Sequence, residues 1–95
     1  MDLISDIKEV LVKHDNKIPP SYVETVAASA EVSYFQLSPN MRVCLLRLPT
    51  GHEVLGVAQV LDAANDVEDI GKAVAYKNAF EQLWPLLGNI AKAVM

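Results

Sequence analysis

The chain has 95 residues, of which 52% are hydrophobic and 21% charged, and its net charge is −4 at pH 7. This length suits one domain, and the apolar content excludes a disordered chain. The net negative charge and the lack of a basic patch argue against binding to duplex nucleic acid. No apolar run approaches the roughly 20 residues of a membrane span, and the single cysteine excludes an internal disulfide.

The N-terminal segment predicts an amphipathic helix. From Leu3 to His14, apolar residues recur at three- and four-residue spacing, with charged residues on the opposite side. Asp2 or Ser5 is a suitable N-cap, because a short oxygen-bearing side chain accepts hydrogen bonds from unpaired amides. The proline pair at 19–20 ends this segment, since it cannot continue a helix.

A second short helix is predicted after the prolines. Ser21 and Glu24 have the spacing of a capping box, in which a hydroxyl and a carboxylate each satisfy one free amide at the helix start. The apolar positions that follow share one face, so this helix is expected to end near Ser29.

The middle of the chain predicts three strands. β-Branched and aromatic residues make up half of 32–37, and apolar residues fill most positions of 42–48 and 53–61. Turn-forming residues at 38–40 and 49–52 separate these runs. Strands joined by such short turns form an antiparallel meander.

Both faces of the second and third predicted strands are apolar. Helices of the same chain can cover one face, but a domain of this size has little chain left to cover the other. We therefore expect a second subunit on that face, and hence a homodimer or a higher symmetric oligomer.

The last third predicts the longest helix, over 66–94. The segment 62–65 is expected to be a loop, with Asp66 as the N-cap of the helix and Asp69 as its capping-box acid. Pro85 interrupts the backbone hydrogen bonds, so we expect a kink near 85 or a new helical segment that starts there.

These elements predict one α+β domain over 1–95. Two short N-terminal helices lie in 1–30, a three-stranded antiparallel sheet lies in 31–61, and the long C-terminal helix over 66–94 packs on the sheet. The sequence contains no internal repeat, low-complexity tract or linker that would divide it.

Four short segments in the C-terminal two-thirds carry a family resemblance. They are Thr50-Gly51-His52-x-Val54-x-Gly56, Asp62-Ala63-Ala64-Asn65-Asp66-x-Glu68-Asp69-Ile70-Gly71-Lys72, Ala75-Tyr76-x-Asn78-Ala79 and Leu83-Trp84-Pro85-Leu86-x-Gly88. In this order they resemble the small tailed-phage protein family named after gene 49 of coliphage N4, over roughly 34–88. The resemblance implies a phage or prophage origin, in a family whose function is largely unknown. More distantly, the layout of strands, hairpin and helix is similar to phage sponges that sequester nucleotide immune signals of the Thoeris type.

This sequence departs from the family pattern at several positions. His52 stands where the family has an aromatic residue, Val57 where it has an acid and Ala63 where it has a proline, and Leu87 and Asn89 replace a Glu and a Tyr. Several polar and aromatic groups through which a shared function would act are therefore changed.

No set of residues predicts catalysis, a metal site or a cofactor. Cys44 lies in the middle of a strand among apolar neighbours, with no glycine-rich turn after it to form an oxyanion hole, so we expect it in the core. His14 and His52 are isolated, whereas a zinc site needs three or four converging ligands. The acids within 62–69 are explained by helix capping. We therefore predict that the protein is not an enzyme.

A set of basic and aromatic residues is the best candidate for ligand binding. Lys72 and Tyr76 share one face of the long helix, while Arg47, Phe35 and Tyr34 lie on the sheet. If the helix packs across the sheet of a second subunit, these residues form a cleft between subunits that suits a small anionic ligand. The simpler alternative is that the charges are solvated and that Tyr76 packs in an interface.

These observations predict a non-enzymatic phage accessory protein that acts by binding in the host cytoplasm, since the acidic N-terminus is unlike a signal peptide. One hypothesis is that it modulates a host protein or a host defence. The alternative is that it sequesters a small anionic nucleotide signal in a cleft between subunits, as an anti-defence protein. Neither function requires a cofactor, a membrane or duplex nucleic acid.

Overall fold

Helices pack on one face of a small antiparallel sheet in the computed structural model, which describes residues 2–59 and 68–95. The elements in chain order are α1 (Leu3–Lys13), α2 (Pro20–Ser29), β1 (Glu31–Ser38), β2 (Met41–Arg47), β3 (Glu53–Gln59) and α3 (Glu68–Val94). The three strands pair antiparallel in the order β1-β2-β3. The predicted α+β fold and its meander are confirmed, while the expected loop at 62–65 and the N-cap Asp66 lie outside the described residues.

Asp2 caps the first turn of α1. Its carboxylate accepts hydrogen bonds from the Ile4 amide at 3.1 Å and the Ser5 hydroxyl at 2.9 Å. These bonds, that of the Ser5 hydroxyl first, lower the pKa of Asp2 because they favour its charged form. After the helix, Asp15 and Asn16 take φ values of 55° and 62°, in the left-handed region that ends a helix.

The start of α2 differs from the prediction. Pro19 is the N-cap, Pro20 is the first helical residue, and no side chain caps the helix. Ser21 lies inside the first turn, where its carbonyl accepts a hydrogen bond from the Thr25 hydroxyl at 2.9 Å. Proline suits the first helical position because it has no amide to leave unpaired. The helix therefore begins two residues earlier than a cap at Ser21 would place it, and the predicted capping box of Ser21 and Glu24 is wrong.

The helix α3 lies across β3 and β2 and approaches β3 closely at Gly56. A Cβ atom at Gly56 would overlap the backbone of Ala75 and Ala79, so only glycine allows this contact. The helix is continuous through Pro85, so no new segment begins there. Small side chains at the contact let one helix cover two strands.

One apolar core joins the helices to one face of the sheet. Its buried members are Leu3, Ile7, Leu11, Val23, Val26, Ala27, Cys44, Leu46, Leu48, Ala58, Ala75, Ala79, Leu83, Leu87 and Ala91. Both α1 and α2 contact α3, so the three helices and the sheet share this core.

The opposite face of the sheet is apolar and is not covered by the described residues. Strand register and side-chain alternation place on it Ser33, Phe35, Met41, Val43, Leu45, Leu55 and Val57, with Glu31, Arg47 and Glu53 in one end row. We call this surface the open face. The structure thus has the second apolar face that the strand pattern predicts, while its coverage by a second subunit stays a prediction.

Candidate functional site

Lys72 lies in the first turns of α3 beside the edge strand β1. Its ammonium nitrogen is 5.4 Å from the centre of the Tyr34 ring, a cation–π distance, and 3.2 Å from the Glu68 carboxylate one turn earlier. Tyr34 is on the α3 side of the sheet because it pairs with the core residue Cys44. The fold therefore brings Lys72 and an aromatic residue of the sheet together within one chain.

A small polar cleft surrounds this contact. It has a volume of about 170 Å³ and is lined by Tyr34, Phe35, Gln36, Arg42, Glu68 and Lys72. Phe35 pairs with Val43, so the alternation of side chains along β1 puts the Phe35 ring on the open face. Because Phe35 also lines the cleft, it lies at the boundary between the cleft and the open face. The cleft thus contains two of the four predicted ligand-binding residues, Lys72 and Phe35.

Tyr34, which lines the cleft, and its strand partner Cys44 both have raised pKa values. Burial raises the pKa of the Tyr34 hydroxyl, and the neighbouring Cys44 and Tyr76 add to this shift. Burial also raises the pKa of the Cys44 thiol, partly offset by the hydrogen bond that Tyr34 donates. Cys44 is fully buried, so its thiol stays protonated at neutral pH and is a poor nucleophile. The prediction that Cys44 belongs to the core is confirmed.

Tyr76 lies one turn beyond Lys72 but does not line the cleft. It is half-buried and packs against the core. The Tyr76 hydroxyl adds a small contribution to the raised pKa of Tyr34. Within one chain, the environment of Tyr76 is therefore that of a packing residue, in line with the simpler alternative.

Arg47 lies away from Lys72, at the end of β2 on the open face. Its guanidinium donates to the Glu53 carboxylate on β3 at 3.3 Å, and the two side chains are 55% and 44% exposed. An ion pair this exposed contributes at most about 1 kcal/mol. Within one chain, Arg47 does not line the cleft that contains Lys72. A cleft between two subunits that contains both residues stays a prediction.

The histidines are separated from each other and from Cys44. His14 is the C-cap of α1, and His52 lies in the β2–β3 turn with its Nδ1 atom 2.7 Å from the Thr50 hydroxyl. Within 2–59 and 68–95, no three His, Cys, Asp or Glu side chains lie close enough to hold a metal ion.

A larger apolar hollow, which the sequence did not indicate, lies at the other end of the domain. It measures about 390 Å³ and is lined by Asp2, Leu3, Ile4, Thr50, His52, Ile90, Ala93 and Val94. These residues come from the start of α1, the β2–β3 turn and the end of α3. No local pattern predicts such a hollow, because its walls are distant in sequence.

The side of α3 that points away from the sheet carries large apolar residues. Ile70, Val74 and Trp84 are 63%, 43% and 39% exposed, and their spacing puts them along one face of the helix. We call this set the outer ridge. In the described part of the chain, no helix combines the length and apolar character that a membrane span requires.

One family of known proteins matches most of the chain. The sequence pattern of the phage protein (N4 Gp49/phage Sf6 gene 66) family covers residues 18–95, which include β1, β2, β3 and α3. The family resemblance seen in the sequence is thereby confirmed. No curated protein and no solved structure matches the chain. The cleft, the open face and the outer ridge all lie within the family's span.

Proposed function

The chain belongs to the phage protein (N4 Gp49/phage Sf6 gene 66) family, and we propose that this member is a non-enzymatic accessory protein that binds a host protein in the cytoplasm of the infected cell. Family membership supports the phage origin. The binding function is supported by the shape and chemistry of the outer ridge, which is the surface we assign to the host protein.

The observation that carries this proposal is the distribution of side-chain size around the first half of α3. Small residues, Gly71, Ala75 and Ala79, are buried against the sheet, whereas the larger Ile70 and Val74 are exposed. A helix that only covers a sheet normally exposes polar residues on its outer side. Large apolar side chains along the outside of a helix are typical of a surface that docks into a groove of another protein.

The outer ridge suits a partner with an apolar groove and a charged rim. Full burial of an exposed aliphatic side chain is worth about 1.5–3 kcal/mol, and tryptophan is enriched among the residues that dominate binding energy. Lys77 and Glu81 are exposed and lie on the same face of α3, between Val74 and Trp84, so a partner must also offer polar groups to these two charges. The net charge of −4 favours a partner whose surface is basic.

The non-enzymatic part of the proposal is supported by the placement of the reactive side chains. The Cys44 thiol is buried with a raised pKa, and the imidazoles of His14 and His52 are held at a helix end and in a turn. Nucleophilic catalysis needs a nucleophile and a base in hydrogen-bond contact. Across 2–59 and 68–95, we find no such pair among these three residues.

Sequestration of a small nucleotide is the second candidate, and the contact of Lys72 with Tyr34 favours it. A cation beside an aromatic ring suits a phosphate and a base. However, the cleft of about 170 Å³ is smaller than the ~300–1,000 Å³ of ordinary ligand pockets, and Glu68 adds a negative charge to it. Titration of the protein with cyclic nucleotides in a calorimeter tests this candidate, which requires binding heat that Lys72→Glu abolishes.

Affinity capture with paired variants tests the host-protein proposal. Tagged wild-type protein and the double variant Ile70→Asp/Val74→Asp are incubated with lysate of host cells. The control is Val12→Asp, which adds one of the same carboxylates, where the double variant adds two, at a side chain that is 83% exposed on α1. We expect wild type and control to retain one host protein in stoichiometric amount, and the double variant to lose it.

Binding of the purified host protein then completes the test. We expect calorimetry to give a dissociation constant that the double variant raises by about 30-fold or more, since two side chains at the centre of an interface account for at least ~2 kcal/mol. Equal binding by wild type and the double variant, with circular dichroism unchanged, would refute the outer ridge as the binding surface. Retention of a nucleotide and no protein would favour the second candidate.

A further inference from the structure

The open face has the composition of one half of a sheet-on-sheet core. The strand register arranges its middle residues in two adjacent rows, Ser33-Leu45-Leu55 and Phe35-Val43-Val57. Phe35 and Leu55, on the two outer strands, are 51% and 49% exposed. Val43, on the central strand β2, is only 3% exposed, although it does not belong to the core that α3 covers. The open-face side chains therefore already shield one another and present a continuous apolar layer.

We propose that the open face binds the open face of a second copy of this chain, with the two sheets packed face to face about a two-fold axis perpendicular to the strands. This assignment does not depend on the proposed function, because the outer ridge lies on the far side of α3 from the sheet. Two physical features of the face select a second copy and this orientation.

The first feature is the distribution of charge. Charged residues are confined to one end row, Glu31-Arg47-Glu53, and the opposite end carries the uncharged Met41 and Gln59. A two-fold axis perpendicular to the strands places the charged row of each copy over the uncharged end of the other. A two-fold axis along the strands would stack Arg47 on Arg47 and Glu31 on Glu53, and like charges at close range repel.

The second feature is the size of the facing side chains. The same perpendicular axis exchanges the two middle rows and stacks β1 on β1. Phe35 of one copy then lies over Ser33 of the second copy, a large exposed ring over a small side chain. Val43 lies over Leu45 of the second copy in the centre. Pairs of large and small residues let two apolar layers interdigitate at the density of a protein core.

The area of the face predicts a reversible dimer. Three strands ~4.8 Å apart and seven residues long at ~3.3 Å per residue give a flat footprint of about 300 Å². With the flanks of the projecting side chains, two copies bury on the order of 1,000 Å², near the lower limit for a specific interface. We therefore expect a dissociation constant in the micromolar range.

Sedimentation of the purified full chain between about 1 and 300 µM tests the proposal. We expect monomers at the lowest concentration and dimers at the highest. Phe35→Asp and Leu55→Lys each change an exposed side chain of the open face, and each should raise the dissociation constant by about 30-fold or more. The matched control, Ile70→Asp, changes an exposed side chain of the outer ridge and should leave the dimer unchanged.

A third variant tests the orientation. Ser33→Trp places a large ring where Phe35 of the second copy is expected to lie, so it should weaken the dimer by about tenfold or more, since overpacking costs ~1–3 kcal/mol. Monomers at 300 µM, or a dimer that Ile70→Asp disrupts and Phe35→Asp and Leu55→Lys do not, would overturn the proposal. A dimer that Ser33→Trp leaves intact would overturn the two-fold arrangement. Circular dichroism melts confirm that each variant is folded.

Discussion

Substitution of glycine by alanine should have opposite effects on stability at Gly56, where α3 approaches β3 closely, and at Gly88, where no such contact exists. Gly56→Ala adds a Cβ atom that overlaps the backbone of Ala75 and Ala79, and backbone cannot rotate away as a side chain can. The helix must therefore move outward along its contact with β3. Gly88→Ala adds the same atom within α3 at a position with no neighbouring atom within 4 Å.

The magnitudes follow from these two environments. Overpacking a core costs about 1–3 kcal/mol and more when backbone is displaced, so we expect Gly56→Ala to lower the free energy of unfolding by about 3 kcal/mol or more. Total stability for a domain of this length is about 5–14 kcal/mol, so this loss is large. Gly88→Ala should raise the free energy of unfolding by about 0.5–1 kcal/mol, because alanine loses less backbone entropy in a helix than glycine.

Urea denaturation followed by circular dichroism measures both effects. The protein should be kept near 1 µM, because self-association would add to the apparent stability. In thermal melts, Gly56→Ala should lower Tm by about 12 °C or more and Gly88→Ala should raise it by about 4 °C, at ~4–8 °C per kcal/mol. If Gly56→Ala unfolds within 0.5 kcal/mol of wild type (about 3 °C in Tm), the close helix–sheet contact is not present as described.

Three further predictions concern single positions. Gly51, with φ of 90°, forms the β2–β3 turn, so Gly51→Ala should lower the free energy of unfolding by about 1 kcal/mol in urea titration, and an unchanged midpoint would contradict a left-handed turn. The pKa of Asp2 is lowered below 3.8 in the folded state, so the charged carboxylate stabilises α1 above pH 3.8 and this stabilisation is lost as the pH falls through the folded pKa. Asp2→Asn should therefore flatten the dependence of the free energy of unfolding on pH between about pH 5 and 2. An unchanged dependence would exclude the cap. Buried Cys44 with its raised pKa should react with a thiol reagent at pH 8 far more slowly in native protein than in urea, and equal rates would contradict its burial.

The candidate site was only partly predictable from the sequence. An anion site needs cationic and aromatic groups, which points to Lys72 and the aromatic residues of the first strand, and the fold does bring Lys72 to Tyr34. The same reasoning points to Arg47, but strand alternation puts Arg47 on the open face, where Glu53 forms an ion pair with it. No sequence pattern indicates the apolar hollow near His52, because three elements distant in sequence form it.

Local patterns sufficed for the order and type of the elements. The helical period of α1, the turn at Gly51 and the apolar runs of β2 and β3 each depend on neighbours a few residues away, and the sequence shows these directly. The sequence predicts the start of α2 wrongly because two local signals compete there, and proline at the first helical position prevails over the capping box.

Only the tertiary structure decided which surfaces remain exposed. An apolar strand pattern cannot show which face a helix covers, because that depends on contacts between residues far apart in the chain. The glycine at 56 and the small residues of α3 draw the helix onto β3 and β2, which leaves most of β1 exposed and the open face uncovered by the described residues. The sequence determined that this protein has more apolar surface than one helix can cover, and the packing of α3 determined where that surface lies.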